Sequence, residues 1–264
     1  MIETNLPVSE RTSAVKRARQ QWRYDMISTA SGVFLALFMW GHMVFVSSIW
    51  TGERGFDWVA ELMELTWIAQ ITVVFVTVAF FVHFVTASRK IPAKLQERRL
   101  IKNLGDDISK SKWQLPPAKT SGLEKIRPHT ETSLWIWQVR TGMVILALGS
   151  IHLFVVITDV IQRVLGGTGI TAAESMSRVS GGMWILYGVL LLAVEIHAGV
   201  GLYRVFVKWG LGKRLPIVGK RITRRAAHVM EQATLVFFLA VGIVTLLILA
   251  NVIGPPLAFL TEGN

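Results

Sequence analysis

Residues 183–207 read MWILYGVLLLAVEIHAGVGLYRVFV, and this stretch decides the fold. As a helix rising 1.5 Å per residue it is long enough to cross a hydrocarbon layer of about 30 Å. No alternation of apolar and polar residues appears in it, so a barrel strand is excluded. Its interior nevertheless carries Glu195 and His197. A carboxyl or imidazole group in hydrocarbon is costly unless it is ligated or paired, which makes each a functional candidate.

Four further stretches have the same character, at about 26–50, 67–88, 134–160 and 233–254. Three of them also bury a histidine, namely His42, His83 and His152, and the fifth stretch has none. The chain of 264 residues is 52% hydrophobic, with ten Trp and no Cys, and its mean hydropathy is +0.48. This composition describes a polytopic membrane protein rather than a soluble domain. The expected fold is all-α, five transmembrane helices in one domain spanning 1–264, because helices satisfy every backbone group without water. The first stretch follows a polar basic segment without a small-residue cleavage site, so it reads as a retained helix. The absence of cysteine excludes structural disulfides, iron–sulfur ligation by this chain and covalent c-type haem attachment.

The net charge of +11 is distributed by side. Residues 1–25 carry five Lys/Arg, the 89–133 connection eleven and 208–232 seven, whereas 51–66 has one, 161–182 two and the segment after 254 none. The imbalance of 23 against 3 follows the positive-inside rule. It puts the N-terminus in the cytoplasm and, after five crossings, the C-terminus on the outer side. The basic loops then meet membrane lipid headgroups and a cytoplasmic partner rather than nucleic acid.

That orientation sets the depth of each histidine. At 1.5 Å per residue, His42 lies roughly 6 Å and His152 about 7–8 Å to the outside of the membrane centre, while His83 lies about 8 Å and His197 roughly 3 Å to the inside. The natural pairs are His42 with His152 and His83 with His197. Each pair can hold one haem iron from both faces, stacking two haems roughly 12 Å apart along the normal. Gly32, Gly41, Gly149, Gly199 and Gly201 would admit a flat macrocycle. Arg178, Arg204, Lys208, Arg140, Ser28, Thr29 and Ser31 are donors for anionic propionates. Two alternatives stay open on residues alone: helix-packing histidines in a cofactor-free transporter or scaffold, and another metal such as copper. The chain shows no internal repeat and no low-complexity tract. The 103–128 stretch reads as a loop and 51–66 as an acidic outer loop whose VAELMELTW portion forms a short interfacial helix, with a similar short helix at 172–180.

The residues resemble the di-haem cytochrome b membrane anchor of quinol:fumarate reductase, within the succinate:quinone oxidoreductases. The likeness rests on SGVFLALFMWGHMVFVSS around His42, FVHFVTASRKIP around His83, HTETSLWIWQ from His129, LGSIHLFVVIT around His152, SRVSGGMW at 177–184 and VEIHAGVGLYRVFVKWG around His197. It implies helices I–IV in a bundle around two b haems. His42 and His152 would hold the distal iron, His83 and His197 the proximal one. It further implies oxidation of menaquinol near the outer face of a bacterial inner membrane. Electrons would pass by the distal and then the proximal haem to a cytoplasmic iron–sulfur subunit and an FAD flavoprotein that reduces fumarate to succinate. Arg178 and Lys208 become propionate or haem-edge partners, with Trp135 and His129 near the proximal haem. Glu64, in WVAELMEL, falls where the family has its quinol-oxidising glutamate. A carboxylate within reach of a quinol hydroxyl is a sound general base, although on residues alone Glu64 is one of four acids in an acidic loop and Glu61 is its rival. Glu195 corresponds to the family's proposed transmembrane proton path. A succinate dehydrogenase anchor working in reverse, and the cytochrome b of a hydrogenase or formate dehydrogenase, are the neighbouring readings. A dimer of heterotrimers stays open, as do the roles of Arg140, Arg163 and the long 93–128 connection.

Overall fold

The structure, a computed structural model, describes residues 8–110, 130–210 and 224–262. Among them every regular element is helical, and five helices are long and apolar enough to cross a membrane. α1 (Val8–Val46) begins well before its apolar part and ends in a 3₁₀ turn, Ser47–Thr51. Gly52, at φ 91°, lets the chain turn there without a Cβ penalty. α2 (Glu53–Leu65) buries Phe56, Ala60 and Glu64, whose spacing of four places them on one face. Trp67 adopts a left-handed φ of 60° at the start of α3 (Ile68–Ser88). α4 (Ile91–Lys110) is a polar helix, so 103–110 belongs to it rather than to the loop expected at 103–128; the remainder of that stretch lies outside the described residues.

α5 (Thr130–Val144) runs through a π turn, Ile145–Gly149, into α6 (Ser150–Val164). The short α7 (Ala172–Arg178) is capped by Thr171, whose hydroxyl accepts the Glu174 N–H at 3.2 Å, a side chain satisfying an orphan donor of the first turn. A second π turn, Val179–Met183, bends the chain at Gly182 (φ 117°) into α8 (Trp184–Lys208). α9 (Arg224–Leu249) begins earlier than the apolar stretch it contains, and α10 (Phe259–Glu262) closes the described chain.

α1 lies against α3 and α8, α5 against α8, and α6 against α3, which closes a ring of four spans; α9 packs outside the ring on α8 and α1. Large apolar side chains point away from this bundle, including Val74 (61% exposed), Phe75 (64%) and Phe154 (70%). In water each would forgo about 25 cal/mol per Å² of burial, so the belt calls for lipid. The tightest core, Ile49, Phe56, Ala60, Ala172, Val179, Ile248 and Leu249, joins the elements at one end, here termed the α2 end. There Trp50 donates to Thr245 at 2.9 Å, and the Leu257 N–H bonds the Trp50 carbonyl at 2.8 Å. At the opposite, basic end, Asp25 accepts from Lys90 at 2.6 Å and from Lys208 at 3.1 Å, tying α1 to the ends of α3 and α8.

Candidate functional site

Four helices each bring one histidine to the bundle interior, and the rings meet as two pairs. The centroids of His42 (α1) and His152 (α6) are 6.0 Å apart; those of His83 (α3) and His197 (α8) are 6.3 Å apart with planes at 89°. A metal held between two imidazoles spans two bonds of about 2.0–2.1 Å and two nitrogen-to-centre distances of about 1.1 Å, roughly 6.3 Å in all. Both pairs match that span. Among the described residues no cluster of three or more His, Cys, Asp or Glu forms, so a compact side-chain metal cage does not compete with the two-ligand arrangement.

The other ring nitrogens differ between the pairs. His83 Nδ1 lies 3.0 Å from the Ser28 carbonyl, and His197 Nδ1 lies 2.9 Å from the Gln138 carbonyl. A carbonyl can only accept, so Nδ1 carries the proton and Nε2 is left with a lone pair for a metal. His152 Nδ1 is buried and has no partner. Gly32 sits against the His83 ring and Gly142 against the His197 ring: an added Cβ would stand 2.7 Å from Cε1 in the first case and 3.0 Å in the second. Gly32 therefore admits an imidazole, a different use from the macrocycle approach expected of it.

Three of the expected propionate donors, Arg178, Lys208 and Arg204, bond partners within the protein. Both terminal nitrogens of Arg178 donate to Asp159 at 2.5 and 2.6 Å, a bidentate charge-assisted pair. Lys208 bonds Asp25. Arg204 donates to the Gln138 side chain, so Gln138 serves Arg204 with its amide and His197 with its carbonyl. Ser28 contributes its carbonyl to His83. Thr29 is half-buried on the same turn, Trp135 takes Lys94 against its ring face at 5.6 Å, and Arg140 is exposed. His129 lies outside the described residues. Asp159, Gln138 and Gly142 are the residues that sequence reasoning missed. One pattern would have found some of them, because Ser31-Gly32 and Thr141-Gly142 each stand the same distance before His42 and His152, a short correspondence below the length of a recognisable repeat.

Glu64 is not one of a set of solvated acids. Its side chain is 6% exposed and pairs with Arg163 Nε at 3.2 Å, while the Ile170 N–H donates to it at 2.8 Å. Gly169 lies so close that a Cβ there would overlap the carboxylate. Asp57, two turns earlier, takes the Ala172 N–H at 2.7 Å, so the 165–171 connection is stapled over α2 at both points. Glu61 is exposed. Glu195, 3% exposed, has no hydrogen-bond partner among the described residues. It lines a cavity of about 170 Å³ between α8 and α9 with Trp40, Tyr203, Thr234 and Glu231. His228 and Glu231 pair at 2.7 Å on α9.

A family model described as the succinate dehydrogenase/fumarate reductase transmembrane subunit matches residues 117–241. The chain is similar to the fumarate reductase cytochrome b subunit of Wolinella succinogenes, 34% identical over 219 residues covering 78% of this chain and 76% of the relative. It is also similar to the fumarate reductase cytochrome b subunit of Helicobacter pylori, 29% identical over 242 residues, 89% of this chain and 82% of the relative.

Proposed function

The chain belongs to the family of succinate dehydrogenase/fumarate reductase transmembrane subunits, and from that premise we propose that it is the di-haem, menaquinol-oxidising anchor of a fumarate reductase. The observation that carries this reading is the meeting of four helical histidines as two pairs at 6.0 and 6.3 Å. His42 and His152 hold the distal iron, and His83 and His197 the proximal one. Two b haems, when bound, supply one-electron carriers between the two sides of the membrane.

The chain's own residues do the rest. Oxidation of a quinol to a quinone releases two protons with two electrons. Glu64 accepts a hydroxyl proton as general base, held beside α2 by Arg163 and the Ile170 N–H. Glu195 carries protons across the middle of the membrane, a role supported by its burial and by the cavity it lines between α8 and α9. The basic loops face the cytoplasm, in line with the positive-inside distribution, and receive an iron–sulfur subunit and an FAD flavoprotein that converts fumarate to succinate. The membrane is then a bacterial inner membrane, with the N-terminus cytoplasmic and the C-terminus periplasmic.

The test is haem stoichiometry in the purified complex. His42→Ala or His152→Ala removes or converts one haem, and His83→Ala or His197→Ala the other. Two unchanged six-coordinate haems in any of these variants would remove that histidine from the ligand set.

A further inference from the structure

We propose that Ser31-Gly32 on α1 and Thr141-Gly142 on α5 are matched positioning cradles. They fix the protonated nitrogen and the ring plane of His83 and His197, while the His42/His152 pair has no such support. The inference rests on the reading of these histidines as haem ligands.

The two cradles are built alike. On α1, His83 Nδ1 faces the Ser28 carbonyl at 3.0 Å and the Ser31 hydroxyl at 3.3 Å. On α5, His197 Nδ1 faces the Gln138 carbonyl at 2.9 Å and the Thr141 hydroxyl at 3.3 Å. Each hydroxyl donates its single proton to a backbone carbonyl one turn earlier, Ser31 to Ile27 and Thr141 to Trp137, both at 2.7 Å. The hydroxyl oxygens can therefore only accept from the imidazole. Two acceptors facing Nδ1 leave one tautomer, with Nε2 aimed at the partner ring.

The glycine follows the hydroxyl residue directly in both copies. It lies four residues after the accepting carbonyl, one helical turn on the same face. A side chain there would push the ring off the carbonyl: a Cβ at position 32 would be 2.7 Å from His83 Cε1 and 3.1 Å from Nδ1, and at position 142 it would be 3.0 and 3.4 Å from the same atoms of His197. The other pair lacks this frame. His152 Nδ1 is buried without a partner, its ring edge-on to Tyr187 at 5.5 Å, and His42 meets the rings of Phe38, Phe45 and His152. Among the described residues no hydrogen bond holds either ring. The cradles thus make the two sites unequal before any haem arrives. The proximal ligands are set in place, and the distal ligands are ordered by the haem itself.

The experiment follows haem transfer from the detergent-solubilised complex to excess apomyoglobin, with haem counted spectroscopically and low-spin ligation followed by electron paramagnetic resonance. The wild type should lose haem in two phases, and the slow phase should be the one that survives in a His42→Ala complex. Gly32→Ala should accelerate that phase roughly ten- to hundredfold, the usual effect of removing outer-shell support from a ligand histidine. Gly142→Ala, with its looser approach, should do less. Ser31→Ala and Thr141→Ala remove one oxygen each without a steric demand; they should speed the slow phase more modestly and alter only the proximal resonance, and Ser31→Thr and Thr141→Ser should restore both. A single phase, or a slow phase untouched by all four variants, or acceleration of the fast phase alone, would overturn the proposal. If His83→Ala itself keeps two haems, the ligand reading fails instead.

Discussion

Replacing Glu64 by Gln separates the structural from the chemical role of this carboxylate. The substitution is isosteric, and the amide oxygen still accepts the Ile170 N–H that now bonds Glu64 at 2.8 Å. What is lost is the charge facing Arg163 Nε at 3.2 Å, and Arg163 is itself 37% exposed. A pair with one partner open to solvent contributes on the order of 1 kcal/mol, so the variant should fold, assemble and bind both haems. A missing general base costs roughly 10²–10⁴ in rate, several-fold more in free energy than the structural term. The expected result is therefore a complex whose haems are fully reduced by dithionite and whose dye-driven fumarate reduction is normal, but whose turnover with a menaquinol analogue falls at least about a hundredfold. Glu64→Ala is a poorer probe, since it also leaves a buried N–H unpaired at about 1–3 kcal/mol. Normal quinol turnover in Glu64→Gln would place the base elsewhere.

Glu195→Gln should slow quinol-coupled turnover while the dye-driven fumarate assay stays intact, and loss of both activities would mark an assembly defect instead. Gly169→Ala should displace the Glu64 carboxylate, which a Cβ at that position would overlap; quinol turnover should fall with both haems retained, and an unchanged rate would show that the loop yields without cost. Asp159→Asn removes the charge opposite Arg178. Breaking a buried pair costs about 3–5 kcal/mol, and with Arg178 29% exposed about 2 kcal/mol is expected, read as a lowered temperature of haem release; an unchanged temperature would mean that the pair adds nothing to stability.

The sequence makes the crossings legible because hydropathy and loop charge act over whole segments, and neither depends on tertiary detail. The same holds for the histidine pairs: a helix rises by a fixed amount per residue, so depth follows from position, and the rings expected to meet are the rings that meet. Partner choice is another matter. Arg178, Lys208 and Arg204 read as propionate donors because cations inside or beside a membrane need anions. In the structure these three side chains bond Asp159, Asp25 and Gln138. Asp159 sits in an apolar run and Asp25 at its edge, and nothing local to either names an arginine 19 residues away or a lysine 183 residues away. Arg163, unassigned from sequence, gains its meaning only when the chain returns over α2 to meet Glu64. The polar helix α4 escapes for a different reason, since the segment-long hydropathy that marks a span is absent from its charged sequence.

One connection that the fold makes was available in the numbering. His152, Asp159 and Arg163 all lie on α6, at i, i+7 and i+11. At about 100° per residue these steps amount to 700° and 1,100°, within roughly 20° of whole turns on either side. The three side chains therefore share one stripe, about 16 Å long. Along it stand a ring of the distal pair, the acid that holds Arg178 and the cation that holds Glu64. Arg178 closes the same end from α7 through Asp159, and is itself steadied within α7 by Glu174 at 3.5 Å. The histidine assigned to the distal iron and the cation that holds Glu64 thus share a single rigid helix, and their separation is set by that helix rather than by a loop. Proteins keep reacting groups on rigid elements because small misplacements are costly in rate. On that ground the placement of Glu64, which reaches the stripe from α2, rests on two partners at once, Arg163 on the rigid helix and the Ile170 N–H in the connection that follows it.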